Sequence, residues 1–372
     1  MHIVYWGSLA ASAGGPAYSL ALSARGLIAR GHQCRALMTP TSEAGIRYPE
    51  IPHAFVHAGI SGAKIIAEQI AQWPQVDICH IQGLWQYGGH LLASYARRHR
   101  LPYVVTLRGM LYPQALAQKT LKKKLALLLY QNRDLRQAAC IQVTCAEELR
   151  HFRDLGFRTP AALIPNAVEL PDPLPEPTPP SDVFRIGYLG RLHPRKQVER
   201  LIYALAELPS DRPSELMIIG SGDEKYTAFL KREVERLNLS SRVRFTGFLT
   251  GEEKAAALRQ CSLIAIPSDF ENFGNIVLDA LALGIPVVSS LHTPWAELNT
   301  RHCGWHVAND VRSLGAAFAE AAALSESELA KMGRRGQQLL QERYDISRVS
   351  EQLEQTYMWC RNEISRPEFI DV

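Results

Sequence analysis

Eleven short runs of apolar and β-branched residues recur along this chain, and helix-length segments separate most of them. The first half carries "HIVYWG", "QCRALMT", "ICHIQG", "YVVTLRG", "CIQVTC" and "AALIPN". The second carries "FRIGYLG", "LMIIG", "VRFTG", "LIAIPS" and "PVVSS". Helical segments are expected over residues 16–30, where Gly31 ends the pattern, from about 198, from about 225, over 252–260, and after Asn275. Runs this apolar are buried on both faces, which requires parallel strands covered by helices on each side. The expected fold class is therefore α/β, as two doubly wound parallel sheets in tandem. Ligands in such sheets bind outside the carboxyl ends of the strands, so two facing sheets would share a central cleft.

The division between the halves is "LPDPLPEPTPPSD", with six prolines from Pro171 to Pro180. Proline fixes φ and donates no backbone hydrogen bond, so the stretch reads as a stiff extended linker. The expected boundaries are a first domain over 1–168, a linker over 169–183, a second domain over 184–343, and a helical tail over 344–372. That tail, from "ERYDISRVSEQLEQTYMWC", is expected to return to the first domain. Charge is divided too. Residues 1–180 hold 18 Lys and Arg against 11 Asp and Glu, a net +7, whereas the remainder holds 23 against 26, a net −3. The seven cysteines contain no C-x-x-C pair and sit mostly in apolar runs, so a reduced, cytosolic protein is expected. No uncharged apolar run reaches 18 residues, and "MHIVYW" reads as a strand rather than a leader.

"PSDFENFGNIVLDALALGIPVVSS" holds the densest chemistry. "LIAIPS" is the strand, "DFENFGN" the loop at its carboxyl end, and "IVLDALAL" the helix it feeds, with Asn275 as the expected N-cap. Backbone N–H groups of Gly274, Asn275 and Ile276, with the helix dipole, would make a phosphate seat. Glu271 before that helix and Asp279 just past its first turn would each accept hydrogen bonds from polyol hydroxyls. The plainer alternative makes Glu271 a solvated loop residue and Asp279 a complement to the helix dipole. In "GYLGRLHPRKQVERL", Arg191 follows a strand directly and Lys196 comes five residues later, a spacing suited to a diphosphate. No carboxylate or histidine cluster has clear metal-ligand spacing, and "GSGDEK" lacks the third glycine of a dinucleotide fingerprint.

With "GGPAYSLALSARGLIARGH", "YLGRLHPRKQVERLI", "IIGSGDE" and "ENFGNIVLDALALGIPVVSS", the chain resembles the GT-B fold glycosyltransferases, most closely the retaining family 4. The last motif matches that family's E-x7-E pattern, with Asp279 at the second acid. The resemblance implies two Rossmann-like domains, and a nucleotide-diphosphate sugar held mainly by the second. Arg191 and Lys196 would then stabilise the diphosphate as the glycosidic bond breaks, with Glu271 on the transferred sugar and Asp279 on the ribose. Asn272, Phe273, Gly274, Asn275 and Ile276 would line the donor site. The base would lie near Gly220, Phe248 and Leu249, and Gly14 and Gly15 would let the first domain approach the phosphates. Neither metal nor cofactor is implied, and no nucleic-acid partner. The acceptor would be a glycan or lipid-linked sugar, in bacterial polysaccharide assembly.

On the first domain, Arg108 stands where the family often carries a His, and is expected as a cleft cation. Gln82 and Trp85 are candidate acceptor contacts. His80, within "ICHIQG", is either a satisfied core histidine or an acceptor or sugar contact. Residues 116–136, "LAQKTLKKKLALLLYQNRDLR", form a basic leucine-rich helix. The ordinary arrangement turns its leucines to the sheet and its lysines to water; the other lays it on an anionic membrane, at the inner face of the cell. Two further functions fit the same fold, a nucleotide-sugar epimerase and a non-catalytic nucleotide-sugar or glycan-binding protein. An epimerase would draw its acid–base chemistry mainly from His80.

Overall fold

A computed structural model describes the chain apart from residues 43, 44, 47, 58, 60, 74, 178–181 and 209–211. Part of the proline-rich linker, residues 178–181, thus lies outside the described residues. The chain divides into two compact units, Met1–Glu169 with Asp345–Val372, and Leu170–Tyr344.

The first unit is built on eight strands: β1 (His2–Trp6), β2 (Gln33–Met38), β3 (His53–Phe55), β4 (Ile78–Gln82), β5 (Tyr103–Thr106), β6 (Cys140–Val143), β7 (Ala161–Leu163) and β14 (Ile370–Asp371). Their order is β14-β7-β6-β5-β4-β1-β2-β3, parallel throughout except for β14, which pairs antiparallel with β7. Every residue of β4 is buried, as a central strand covered on both faces requires. Alternate side chains feed two cores. Cys79 and Ile81 pack with Leu92, Val105 and Phe152 on one face. Ile78 packs with Ile3, Leu20 and Tyr357 on the other. Tyr357 belongs to the helix Ile346–Cys360, which lies on the helix Gly15–Ala29. None of the seven cysteines is in a disulfide, and six are buried.

The second unit carries β8 (Phe184–Leu189), β9 (Ser214–Ile219), β10 (Val243–Gly247), β11 (Leu263–Ile266), β12 (Val287–Ser290) and β13 (Gly304–Val307), in the order β10-β9-β8-β11-β12-β13. All six are parallel. Phe184, Ile186, Leu216 and Ile218 pack with Leu201, Leu205 and Phe318 of the covering helices.

Two features depart from the sequence reading. β3, β13 and β14 went unread: "HAF", "GWHV" and "ID" are short and each holds at most one Val or Ile, so no apolar run stands out. The basic segment is helical over Thr120–Ala126, passes through a π-turn over Leu127–Gln131, and continues over Asn132–Arg136. Four of its leucines do not turn to the sheet as the ordinary arrangement would have it, because Leu121, Leu125, Leu128 and Leu129 are 84%, 55%, 81% and 68% exposed. The segment instead buries Gln131, Asp134 and Leu135.

Candidate active site

In the second unit β8 and β11 are neighbours, and the sheet grows outward from them in opposite senses. Loops that diverge from adjacent strand ends leave a crevice, the usual ligand seat of a doubly wound sheet. The loop after β8 carries Arg191 and Lys196; the loop after β11 carries Glu271 to Gly274.

Lys196 ends a short 3-10 turn, Pro194–Lys196, entered from His193, whose Nδ1 accepts the Arg195 N–H at 3.2 Å. The Lys196 ammonium donates to Glu271 Oε2, and Ser268 Oγ donates to the same oxygen at 3.3 Å. The side chains of the ion pair are 28% and 22% exposed, so solvent and solutes reach it. The two loops are tied together by the Asp269 N–H, which donates to the Arg195 carbonyl at 3.1 Å. Behind them the Asp269 carboxylate accepts from Arg200 at 3.3 Å and from Asn309 at 2.9 Å. The Glu271 loop is therefore fastened on both sides while the carboxylate itself stays open.

Gly274 takes φ 81°, a left-handed conformation that glycine adopts without a Cβ penalty. A Cβ there would meet Glu271 Cγ at 3.2 Å and Trp295 Nε1 at 3.5 Å. This turn starts the helix Asn275–Ala282 beside Glu271, placing the positive end of the helix dipole at the same crevice. The expected cap moves by one residue: Gly274 is the N-cap and Asn275 the first helical residue, followed by Ile276. Phe273 differs from its expected donor-lining role. Its ring is buried, edge-on to Trp295 at 5.3 Å, while the Trp295 indole donates to its carbonyl, so it pins the loop from below. Asn272, in the same loop, is half-buried.

Asp279, one turn further on, does not stand alone. Its Oδ2 accepts from Lys254 of the helix Gly251–Arg259 at 3.0 Å, with both side chains partly exposed. The loops after β8, β9 and β10 nest closely. Gly220 takes φ 143°, and a Cβ on it would lie 1.9 Å from the Gly190 carbonyl oxygen. The Gly220 N–H donates to the Gly247 carbonyl at 2.8 Å. Arg191 lies in this nest with its side chain exposed, and its carbonyl accepts from Tyr188 Oη at 3.0 Å. Next to Gly247, Phe248 is 72% exposed and Leu249 half-buried.

The first unit has its own strand-end cluster. Arg108, after β5, donates from Nε and Nη2 to Gln82 Oε1 at 3.0 and 2.6 Å, and from Nη1 to Asn166 Oδ1. Burial lowers the guanidinium to about 10, opposed by Glu148 and Tyr5, so it stays charged at neutral pH. Glu148 lies behind it, fully buried. It accepts from the Gly109 N–H, from the Thr144 N–H at 2.7 Å and from Thr144 Oγ1 at 3.0 Å. Burial holds its carboxyl above the usual range in spite of these donors. Trp85 sits apart on the loop after β4, half-buried, with its N–H on Gln131 Oε1 at 2.9 Å. Gly14, at φ 60°, caps the helix that Gly15 begins, and a Cβ on Gly14 would meet nothing within 4 Å.

His80 is not a ligand contact in this structure. It has no exposed surface, and its ring nitrogens pair with Tyr357 Oη and Thr106 Oγ1, each at 2.6 Å. The reason is its place on a central strand covered on both faces. Burial, with a contribution from Arg108, lowers its pKa to about 3, so it stays neutral. Among the described residues, no group of three or more His, Cys, Asp or Glu side chains is arranged to hold a metal ion.

The fold and the strand-end cluster define a class, the GT-B proteins, with two parallel-sheet α/β domains. Comparison with known proteins gives the family. The sequence model of "Glycosyl transferases group 1" matches residues 175–339, and that of "Glycosyl transferase 4-like domain" matches residues 14–167. The chain belongs to the GT-B glycosyltransferases. An uncharacterized glycosyltransferase of Methanocaldococcus jannaschii is 34% identical over 109 residues, 29% of this chain and 27% of that protein. The D-inositol 3-phosphate glycosyltransferase of Salinispora tropica is 32% identical over 120 residues, 30% of this chain and 25% of that protein. The matches thus span about a quarter of the length of these curated relatives. Among solved structures, Anabaena HepE in complex with UDP and glucose superposes with a TM-score of 0.76 at 21% identity, over 96% of this chain and 99% of that one. Sucrose-phosphate synthase from Thermosynechococcus elongatus superposes with a TM-score of 0.78 at 20% identity, over 98% and 100%. At these identities the likeness is one of fold.

Proposed function

We propose that the protein is a retaining glycosyltransferase that moves a sugar from a nucleotide-diphosphate donor to a glycan or lipid-linked acceptor. One observation carries the reading: Lys196 and Glu271 meet beside the Gly274 helix start, at the crevice between β8 and β11. A cation, a helix dipole and a carboxylate in one place suit a pyrophosphate joined to a polyol. As the bond between the anomeric carbon and the phosphate oxygen breaks, negative charge grows on the departing diphosphate. Lys196 and Arg191 would stabilise that charge electrostatically, so no metal is called on. Glu271 would exchange its bond with Lys196 for hydroxyls of the sugar, leaving the ammonium to the phosphates. Asp279, steered by Lys254, would hold the ribose, and Phe248 would offer an apolar face to the base. In the first unit, Arg108 and Gln82 would face the acceptor.

Three lines support this reading: the family match, the solved relative with UDP and glucose, and a similar fold in WaaG, described as involved in lipopolysaccharide biosynthesis (TM-score 0.65, 16% identity). The last motivates a setting in surface polysaccharide assembly. The epimerase alternative loses its main acid–base candidate, since His80 is sealed in the core. A panel of nucleotide sugars, screened by thermal shift and then by product mass and anomeric configuration, tests the proposal. One sugar nucleotide should stabilise the protein and yield an acceptor heavier by one sugar, with the donor's anomeric configuration kept. Stabilisation by none of the panel would refute it.

A further inference from the structure

The leucine-rich segment of residues 116–136, helical from Thr120, presents a surface that the fold does not use. At about 100° per residue, Leu121, Leu125, Leu128 and Leu129 fall in one stripe roughly 100° wide. All four side chains are exposed, and they make up most of the exposed leucines of the described residues. Exposed Lys124 borders the stripe on one edge and exposed Lys122 on the other. The one acid in the segment, Asp134, is withdrawn into the unit, where its carboxylate accepts from Arg97 at 2.8 Å and contacts His90 at 3.0 Å. The outward surface is therefore apolar along its crest and cationic along both margins.

The helix is fixed from its other side. Trp85 N–H donates to Gln131 Oε1 at 2.9 Å, Tyr130 Oη donates to the Trp85 carbonyl at 3.3 Å, and Tyr103 Oη donates to the Asp134 carbonyl at 2.8 Å. Lys123 turns inward too, donating to the Ala115 carbonyl and lying 5.7 Å from the centre of the Trp85 ring. The packing thus holds the helix without the leucine stripe. Leaving several large leucines in water together marks a contact surface rather than a core left incomplete.

The geometry points to this helix as a docking element for an anionic lipid bilayer. An interfacial helix of this kind sinks its apolar crest among the acyl chains and keeps flanking cations at the level of the headgroup phosphates. The lysines on both margins match that layered surface, apolar in the middle and negative on either side. No helix of the described residues is long and apolar enough to cross a membrane, so the contact would be peripheral. It would also lie against the Trp85 loop, which follows Gln82 at the carboxyl end of β4. The inference does not depend on the transfer reading, because binding to a bilayer needs neither donor nor acceptor.

Sedimentation of the full chain with sucrose-loaded vesicles tests it, using phosphatidylglycerol in phosphatidylcholine against phosphatidylcholine alone. The protein should pellet with the anionic vesicles and come off progressively as salt rises. Leu125→Ser with Leu128→Ser should weaken partitioning by at least about 100-fold. Lys122→Gln with Lys124→Gln should weaken it by about 5-fold for each lysine. Both pairs are exposed, so the unfolding midpoint should hold; if the leucine pair unfolds the protein, the lysine pair and the salt series decide. Equal binding to neutral and anionic vesicles, or binding that ignores both pairs, would overturn the inference. So would a leucine-dependent dimer in sedimentation velocity with no vesicle binding, which would assign the stripe to a second copy of the chain.

Discussion

Replacing Lys196 by alanine separates the two things its ammonium does. In the structure it neutralises Glu271, and in the proposed reaction it meets the donor phosphates. The first loss is small. Both side chains are about a quarter exposed, water replaces the ammonium, and Ser268 Oγ remains on Glu271 Oε2 at 3.3 Å. An ion pair at that exposure contributes at most about 1 kcal/mol. The second loss is larger. A charge-assisted hydrogen bond to a phosphate is worth roughly 1.5–3 kcal/mol, so kcat/KM should fall about ten- to hundred-fold. The assay is release of nucleoside diphosphate with matched sugar transfer, alongside urea unfolding of the same preparation. Near-normal turnover in Lys196→Ala would remove the residue from the chemistry. A loss of activity that follows a large loss of stability would make the ion pair structural.

Other perturbations probe separate parts of the site. Glu271→Ala should impair sugar transfer by about ten-fold or more while nucleoside diphosphate affinity changes little, because the partner of that carboxylate is the sugar; calorimetry beside the transfer assay would show equal losses if Glu271 acts elsewhere. His80 should make the protein acid-sensitive. Between its folded pKa of about 3 and its unfolded value near 6.5 the unfolded chain holds the extra proton, so stability falls as pH drops through that window, by about 2 kcal/mol at pH 5. His80→Gln should flatten that slope in urea melts between pH 7 and pH 5, and an unchanged slope would place the acid sensitivity in other groups. Gly220→Ala should lower stability by about 2 kcal/mol or more, since its Cβ would fall 1.9 Å from the Gly190 carbonyl oxygen at a positive φ; an unchanged urea midpoint would mean that the strand-end loops do not nest so closely.

The long apolar runs were legible because a strand buried on both faces has little choice of residue. Every run read as a strand in β1, β4, β8 and β11 is one. β13, "GWHV", and β14, "ID", were not, since each is short and holds a single β-branched residue, and pairing with a neighbour decides their state. The Glu271 loop could be read from its glycine and its place after a strand. Its supports could not. Ser268, Asn309, Arg200 and Trp295 are common residue types whose roles arise only when the sheet brings them together. The Lys254 partner of Asp279 lies 25 residues earlier in sequence, on a helix whose composition gives no sign of it. The leucine-rich helix misled for a related reason. Leucines at helical spacing ordinarily face a core, and only the packing shows that here Gln131, Asp134 and Leu135 anchor the segment while four leucines face outward.

The most direct test titrates nucleoside diphosphate against nucleoside monophosphate by calorimetry, with chelator present, for the wild type and for Lys196→Ala. A diphosphate seat at the β8–β11 crevice predicts metal-free binding, a clear preference for the diphosphate, and loss of most of that preference in the variant. Equal affinity for both nucleotides, or a preference that survives without Lys196, would contradict it.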